Sequence, residues 1–494
     1  MKFADFYAGA GGWTLGLTLA GHEAVFSAEI WKTANAVRGW NFGNDETCID
    51  IRALDPRDVP DAELIVGSPP CTQFSYANRG GNGDIADGME DVRAFLRIVE
   101  AKNPKYWVME NVPRLNGILL RELAPGGALE GFAHLFESVD DFDMSEWGVP
   151  QRRRRCIAGR YPRDLLFSLK GRPAPTLGQV LAAVRDGIDP VWGGRYAASD
   201  NDPGLPLTWE EARINEEKKR NHPIYNDMAF PDDQDRAART VTATCTKVSR
   251  ESIVVPCDEG FRLLSVRESA AIQSFPLSYQ FPSKGRSDRI KMAGNAIPPL
   301  FTYMVGLAAA GLPVPETLPP FVPAKGVATD APPENPVRRA AKAGRSFRAA
   351  ISGLRFKSGM SFELRNGNGG WEIGFNAGNA LAAGPVQIAA AAALLPHRGV
   401  PAVDSVDGEA MQTAWESSTD CEVHPFRVAD RIGAASESGA IDTERATACV
   451  EALYASIGEP APDKAIRNAH RIAAGVAAAD SFNRLVRRRE AVAA

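Results

Sequence analysis

Histidine and cysteine are scarce in this chain, with six and seven respectively among 494 residues. The cysteines (Cys48, Cys71, Cys156, Cys245, Cys257, Cys421 and Cys449) are odd in number, scattered, and never form a CxxC pair. A disulfide framework and a structural zinc site are therefore not expected, and a reducing cytosol is the default compartment. The histidines do not cluster, so no metal-ligand spacing is present. Long apolar runs are missing as well. Near the Ala-rich stretch the longest is residues 388–395, far short of the roughly 20 a spanning helix needs. The N-terminus has a basic Lys2 and a mostly apolar stretch, but Asp5 and four glycines (Gly9, Gly11, Gly12 and Gly16) interrupt it before a signal-peptide core can form. Positive charge is not in excess: the net charge is -5 and the pI about 5.9. That excludes a protein coating nucleic acid by bulk charge and leaves room for a local basic cleft. Apolar residues at 44% and charged residues at 24% are ordinary for a packed chain, and the length suggests about three units.

Organisation follows from shifts in pattern. Short apolar runs at 2–7, 24–28, 64–67, 106–109 and 156–159 alternate with longer, partly helical segments, which predicts a parallel sheet with crossover helices over 1–160. Residues 161–260 lose that rhythm. They are rich in Pro, Gly, Asp and Asn, with a charged helical stretch at 208–220 and β-prone runs at 239–243 and 252–255. Order returns over 261–312. Eight prolines between Pro313 and Pro336 predict a stiff linker over 313–345. Beyond it, 346–494 reads as an α+β accessory region. A hairpin is predicted where 361–365 and 371–375 flank Asn366-Gly367-Asn368-Gly369-Gly370. A helix is predicted from Ala446, Cys449, Val450, Leu453, Tyr454 and Ile457, capped by Asp442 and stopped by Gly458 and Pro460.

Chemistry gathers at the ends of the predicted strands. Asp5-Phe6-Tyr7-Ala8-Gly9-Ala10-Gly11-Gly12 runs from strand to helix, where glycines permit a tight turn and bring backbone amides to a ligand. Glu29 ends the next apolar run and can hold ribose hydroxyls. Asp50-Ile51, placed after a third short strand, can accept from an adenine amine. The dinucleotide fingerprint lacks its third glycine and no GxxxxGK[ST] occurs, so a nucleoside-type cofactor without phosphates fits better. The run at 64–67 ends in Ser68-Pro69-Pro70-Cys71-Thr72-Gln73, a proline-stiffened elbow that displays Cys71 at the carboxyl edge of the sheet. The run at 106–109 ends in Glu110-Asn111-Val112 at the same edge. In Gly148-Val149-Pro150-Gln151-Arg152-Arg153-Arg154-Arg155, alternation puts Gln151, Arg153 and Arg155 on one face. The apolar run that follows implies that half of the block points inward.

These blocks resemble the DNA cytosine-5 methyltransferases. The resemblance extends to Arg262-Leu263-Leu264-Ser265-Val266-Arg267-Glu268, to Gln273-Ser274-Phe275-Pro276 and to Gly294-Asn295-Ala296-Ile297-Pro298-Pro299, all in the family's order across residues 1–310. It implies a Rossmann-like, doubly wound methyltransferase sheet over 1–160 and 261–312, with a small recognition domain inserted at 161–260. It implies S-adenosyl-L-methionine bound by Tyr7, Gly9, Gly11, Glu29, Asp50, Ile51, Pro69, Asn295 and Ala296. Tyr7 stands where the family places an aromatic against adenine, and Asn295-Ala296 beside the methionine moiety. The same resemblance makes Cys71 the nucleophile at C6 of a flipped cytosine and Glu110 its partner at N3. Arg153 then holds the cytosine O2 and the Glu110 carboxylate, Arg155 completes the catalytic set, and Pro70, Gln73, Asn111 and Gln151 surround the base. The implied partner is double-stranded DNA, with no metal and no membrane. The implied setting is a bacterial cytosol or a phage acting there, in a restriction-modification system.

Three rival readings share parts of the pattern. Amino-methyltransferases acting on adenine N6 or cytosine N4 carry an aromatic after the paired prolines, where this chain has Cys71. An RNA cytosine-5 methyltransferase of the tRNA-directed branch carries Cys-Phe-Thr, where this chain has only Thr244-Cys245-Thr246. A silent nucleic-acid-binding homologue conflicts with the intact Cys71, Glu110 and Arg153. Residues 161–260 hold 13 Lys plus Arg against 16 Asp plus Glu, so phosphate contact there falls to local groups such as Lys218-Lys219-Arg220 and the arginine block. The recognised DNA sequence and the oligomeric state are not encoded in any motif.

Overall fold

Each short apolar run becomes a strand whose alternate side chains feed two different cores. The computed structural model describes residues 1–43, 48–74, 83–196, 204–207, 209–220, 228–258, 260–283, 285–328, 348–350, 361–367, 370–376, 380–395, 441–470, 472–477 and 480. Strands β1 (Lys2–Phe6), β2 (Glu23–Ala28), β3 (Leu64–Gly67), β4 (Tyr106–Asn111), β5 (Ser138–Asp143) and β7 (Arg154–Arg160) supply the central layer, with β6 (Gln151–Arg152) just before β7 and outside it. Its six-stranded sheet has the order β2-β1-β3-β4-β7-β5. One face carries Phe3, Leu64, Val66, Val108 and Ile157 against Trp13, Leu17, Leu300, Phe301 and Met304, from helices Gly12–Leu19 and Pro299–Ala310. The other carries Ala4, Phe6, Ile65, Trp107 and Met109 against Val92, Phe95, Leu96, Val99, Leu115 and Leu119, from helices Ile85–Lys102 and Arg114–Glu122. Helices on both faces of a mostly parallel sheet make this the doubly wound, Rossmann-like fold expected from the sequence.

Strand order locates the site. The chain steps from β1 outward to β2, then returns to place β3 on the other side of β1, all in parallel. The direction reverses beyond the carboxyl ends of β1 and β3, the crevice where open α/β sheets bind ligands. Those ends lead into the glycine turn and into the Pro69-Pro70-Cys71 elbow.

The sheet departs from an all-parallel one at its far side. β7 pairs antiparallel with both β4 and β5. Only residues 144–153 separate β5 from β7, too short a link for a parallel crossover. β5 itself, Ser-Val-Asp-Asp-Phe-Asp, is an acidic edge strand, and charge at an edge blocks further pairing. The strand expected before Asp50 is absent over 48–50, where one bond from Ile49 N–H to the Glu29 carbonyl remains (2.9 Å); residues 44–47 lie outside the described residues.

The chain divides into two compact units, Met1–Pro206 with Phe230–Asn335, and Leu207–Ala229 with Pro336–Ala494. Residues 161–206 and 230–260 thus fall in the unit that contains the sheet. There β8 (Ala238–Arg239) pairs with β6, and β9 (Val254–Cys257) with β10 (Gly260–Leu263). Part of the expected linker also packs on this unit. Leu318 and Phe321 are buried, Ser278 Oγ donates to the Phe321 carbonyl (2.7 Å), and Ala324 N–H and Lys325 N–H donate to the carbonyls of Asn41 (2.9 Å) and Trp40 (3.1 Å). Prolines suit this segment because it needs few ladder bonds of its own.

In the second unit, β11 (Arg348–Ala350), β12 (Ser361–Gly367), β13 (Gly370–Asn376) and β14 (Ala380–Ala383) form an antiparallel meander containing the predicted hairpin. The charged helix predicted at 208–220 is Trp209–Arg220. Helix Thr443–Ala455 starts at Asp442, whose side chain accepts from Arg445 N–H. It buries Ala446, Cys449, Val450, Leu453 and Tyr454 with Ile388, Ile472 and Val476. Ile457 lies past its end and is exposed. Among the described residues, no helix is long and apolar enough to cross a membrane, and no group of three His, Cys, Asp or Glu could hold a metal ion.

Candidate active site

The glycine turn is built by groups that fix its shape before any ligand arrives. Asp5 is buried at the end of β1, and its Oδ2 accepts from Thr14 N–H (3.1 Å) and Thr14 Oγ–H (2.6 Å). Burial pushes its carboxyl up to about 6, against Arg38 and the Thr14 bonds, which pull it down. Gly11 takes φ +85°, where a side chain is strained, and a Cβ on Gly12 would lie 2.3 Å from the Ile297 carbonyl oxygen. Glu29 faces the turn from the end of β2. Gly9 N–H donates to its Oε2 (2.8 Å) and Trp31 N–H to its Oε1 (2.7 Å). Each oxygen therefore keeps a lone pair, and the carboxylate is held still, as a diol acceptor must be. Ile30, beside it, is 63% exposed, a large apolar surface that the sequence pattern did not single out.

The other cofactor candidates lie around the same crevice. Asp50 is exposed, and its Oδ1 accepts from Arg52 N–H (3.0 Å), whereas the Ile51 side chain is buried in the core. The Tyr7 hydroxyl donates to both the Oδ1 and the carbonyl of Asp91 (3.1 Å each). Burial and Asp91 push the Tyr7 phenol up, so it stays a donor. Asn295 is exposed at the end of helix Arg286–Asn295, and the turn that follows runs over Gly12.

The elbow is held from behind. Pro69 is buried and Pro70 exposed. Asn111 Nδ2 donates to the Pro69 carbonyl (2.9 Å), and Trp13 Nε1 donates to Ser68 Oγ (3.0 Å). Asn111, expected at the base, thus spends its amide on the elbow. Cys71 begins a turn closed by Phe74 N–H donating to its carbonyl (3.1 Å). Burial pushes the Cys71 thiol up; Arg155 draws it down, Glu110 raises it, and Arg153 draws it down again. Two arginines and a carboxylate therefore act electrostatically on one thiol.

Alternation along the arginine block is as read from the sequence: Gln151 and Arg153 are buried and Arg155 nearly so, while Arg152 and Arg154 are exposed. The pairing within it differs. Arg155, not Arg153, meets Glu110, with Nε 2.9 Å from Oε1. Register explains this. Glu110 lies opposite Ile157, so Arg155 is its diagonal neighbour on the same face and Arg153 is one step too far. Arg153, 1% exposed, instead donates to the carbonyls of Val241 (3.2 Å), Gly294 (3.1 Å) and Ala296 (3.0 Å). Its Nε–H is buried without a partner among the described residues. Burial, with repulsion from Arg155, pushes its guanidinium down to about 9.

Gln151 is fully buried and does not reach the crevice. Its Oε1 accepts from Val241 N–H (2.9 Å), and its Nε2 donates to the Ile272 carbonyl (3.2 Å) and to Gln273 Oε1. Gln273 Nε2 in turn donates to the carbonyls of Ala293, Gly294 and Ala296. Two glutamines thus bind three distant sequence blocks into the wall behind Arg153. Sequence reasoning also missed Arg52, Asp87 and Asp91. The available signal was Asp87 and Asp91 four apart on one helix face, where paired carboxylates need a cation.

Known proteins resemble this chain over the same region. A family model for C-5 cytosine-specific DNA methylase matches residues 1–308. The type II methyltransferase M1.ScrFI of Lactococcus lactis subsp. cremoris is 28% identical over 60% of this chain and 74% of its own. The type II methyltransferase M.MthTI of Methanothermobacter thermautotrophicus is 29% identical over 60% of this chain and 93% of its own. Among solved structures, the S. pombe Dnmt2 methyltransferase aligns with a TM-score of 0.47 and 17% identity, over 63% of this chain and 99% of that one.

Proposed function

Because the chain belongs to the C-5 cytosine-specific DNA methylase family and is a DNA cytosine-5 methyltransferase, we propose that it methylates C5 through a covalent bond from Cys71 to C6 of an extruded cytosine. A duplex base is out of reach in its stack, so it must leave the helix to meet the elbow. C5 of cytosine is a poor nucleophile. Addition of the Cys71 thiolate at C6 makes C5 enamine-like and able to take the electrophilic methyl group. Loss of the C5 proton with cleavage of the S–C6 bond then restores the ring as 5-methylcytosine and frees the thiolate. Glu110 sits beside that position to hold or protonate N3 as charge builds in the ring. Arg155 orients Glu110 and favours the thiolate. The unpartnered Arg153 Nε–H is the donor suited to the cytosine O2.

S-adenosyl-L-methionine supplies an electrophilic methyl group when bound. The Glu29 lone pairs suit its ribose diol, Asp50 its adenine amine, the exposed Ile30 its purine face, and the turn at Asn295-Ala296 its methionine end. Pro70 and Gln73 flank the base. The names of the relatives support a role as the modification partner in a restriction-modification system. Residues 161–206 and 230–260 are the candidate target-reading segment, and the second unit an accessory region.

The observation that carries this reading is the buried Arg155–Glu110 pair (2.9 Å) at the sheet edge where the elbow displays Cys71, with both groups and Arg153 acting electrostatically on its thiol. Its test is adduct formation. DNA carrying 5-fluorocytosine should trap the wild-type protein in a denaturant-resistant complex when cofactor is present, because fluorine cannot leave as a proton does. Cys71→Ser should trap nothing while binding cofactor within about a few-fold of wild type, since a thiol yields its nucleophilic anion far more readily than a hydroxyl does. An adduct on another cysteine, or preference for tRNA over DNA in a methyl-transfer assay, would overturn the proposal. Bisulfite sequencing of DNA from a host expressing the chain would identify the recognised site.

A further inference from the structure

Arg52 belongs to neither half of the proposed chemistry, yet it is bonded to both. On the cofactor side its backbone N–H donates to Asp50 Oδ1 (3.0 Å). Its Nε and Nη2 form a fork on Asp91 (2.9 and 2.7 Å), the same carboxylate that accepts from the Tyr7 hydroxyl. On the base side its Nη1 donates to Asp87 Oδ1 (2.9 Å) and its Nη2 to the Asp87 carbonyl (2.8 Å). Asp87 Oδ2 accepts from Gln73 Nε2 (3.2 Å), and Gln73 Oε1 accepts from Asp84 N–H (2.9 Å). Gln73 lies inside the turn that Cys71 opens. Two glycines press it into place: a Cβ on Gly83 would lie 2.3 Å from the Gln73 carbonyl oxygen, and one on Gly88 2.9 Å from its Cβ. The guanidinium therefore lies on an unbroken chain of bonds from Tyr7 to the residue two beyond the thiol.

For the Arg52–Asp87 pair, stability alone is a poor account. The Arg52 side chain is 40% exposed and Asp87 is 46% exposed, and exposed ion pairs contribute about 0–1 kcal/mol. Geometry is what a planar fork with several fixed donors supplies and a point charge does not. We propose that Arg52 is a positioning residue common to both halves of the site, its guanidinium fixing Tyr7 for the cofactor through Asp91 and, through Asp87 and Gln73, the orientation of the Cys71 turn for attack on C6. Cofactor binding and thiol attack thus depend on one guanidinium. This inference rests on Cys71 being the nucleophile.

A partial reaction separates the two roles. When the Cys71 thiolate adds to C6, C5 takes a proton from water. Loss of the original C5 hydrogen as a proton and cleavage of the S–C6 bond then return the base, so tritium at C5 passes to solvent without any cofactor. The assay follows tritium release by the full chain from genomic DNA labelled with [5-³H]cytosine, alongside affinity for S-adenosylhomocysteine and a thermal melt. Arg52→Ala should weaken S-adenosylhomocysteine about tenfold and slow release about tenfold, modest beside the roughly 10²-fold that a 1 Å misplacement can cost. Asp87→Ala should slow release comparably while leaving S-adenosylhomocysteine within about twofold, because the fork on Asp91 that holds Tyr7 is intact. Arg52→Lys should recover only part of both losses, since an ammonium cannot serve two carboxylates as a fork does. Release at the wild-type rate in Asp87→Ala, or Arg52→Ala affecting cofactor affinity alone, would overturn the inference. If Arg52→Ala fails to fold, the Asp87→Ala result decides. Tritium release by Cys71→Ser would remove the underlying reading, whereas its loss there with normal release in Asp87→Ala would remove only this one.

Discussion

Replacing Arg155 with methionine keeps most of the side chain's length and deletes only the guanidinium, so its effects can be worked out one at a time. Glu110 is 5% exposed and its Oε1 lies 2.9 Å from Arg155 Nε. Removing one partner of a buried pair costs about 3–5 kcal/mol when the other charge stays. Against a domain stability of about 5–15 kcal/mol, the variant should fold and melt early. Adding Glu110→Gln removes the stranded charge, and the double variant should regain most of the lost stability. The chemistry should not recover with it. Arg155 is the neighbour that draws the Cys71 thiol down most strongly against burial, so without it the thiol ionises at higher pH. Adduct formation needs the thiolate and speeds up as pH approaches the thiol's pKa from below; Arg155→Met shifts that rise to higher pH. At neutral pH the rate should fall about 10²–10⁴-fold, the range for a displaced acid–base group. The assay is the rate of trapping on 5-fluorocytosine DNA at saturating cofactor, followed from about pH 6 to 9, on the rising limb below the raised thiol pKa. A profile that superimposes on wild type, or a double variant that regains the wild-type rate, would refute the reasoning.

Glu110→Gln should lower turnover about 10²–10⁴-fold with DNA affinity changed only a few-fold, because N3 needs the acid only as charge builds; unchanged turnover with lost DNA binding would point to a structural role. A chain ending at Asn335 should retain methyl transfer, whereas one ending at Leu318 should lose about 1.5–3 kcal/mol with the buried Phe321 side chain, as read by thermal melts; equal melting temperatures would show the 319–328 segment to be idle. Asp5 gives a pH test. Its folded pKa, about 6, lies above the ordinary 3.8, so its stabilising contribution is complete below about 4 and lost as pH rises through about 6. At about 1.36 kcal/mol per unit that amounts to about 3 kcal/mol. Asp5→Asn removes this dependence, and the gap in urea stability between wild type and variant should therefore change by about that much from pH 4 to 7.5; a constant gap would rule it out.

The sheet's interior strands were legible because β1, β3 and β4 are buried on both faces and read as continuous apolar runs. β5 was not, since three aspartates in six residues carry no strand signal. Its antiparallel sense depends on a link length that only the strand's existence reveals. In the site, Cys71, Glu110 and Glu29 could be found from local context, each lying at a strand's carboxyl end. Which arginine meets Glu110 could not, because alternation places Arg153 and Arg155 on one face and only the β4–β7 register chooses between them. The Gln151–Gln273 junction joins residues 122 apart, and no local pattern encodes such a meeting. The expected linker misled for a related reason: proline density signals stiffness, and a stiff segment can as well be strapped to a surface as extend from one.

The contact between Gly12 and the chain near residue 300 bears on the order in which a ribosome delivers the parts. Thr302 Oγ donates to the Gly12 carbonyl (2.8 Å) across 290 residues of sequence. At about 5–20 residues per second, the helix that opens with Gly12 waits roughly 15 to 60 s for the one that covers it. Through that interval Leu17 lacks its partners Leu300 and Met304, and the glycine turn lacks the Ile297 carbonyl that abuts it. A nascent chain stalled before residue 297 should therefore carry every glycine of the cofactor turn and still bind no cofactor. The cofactor turn, synthesised long before the helix that covers it, is among the last parts to function.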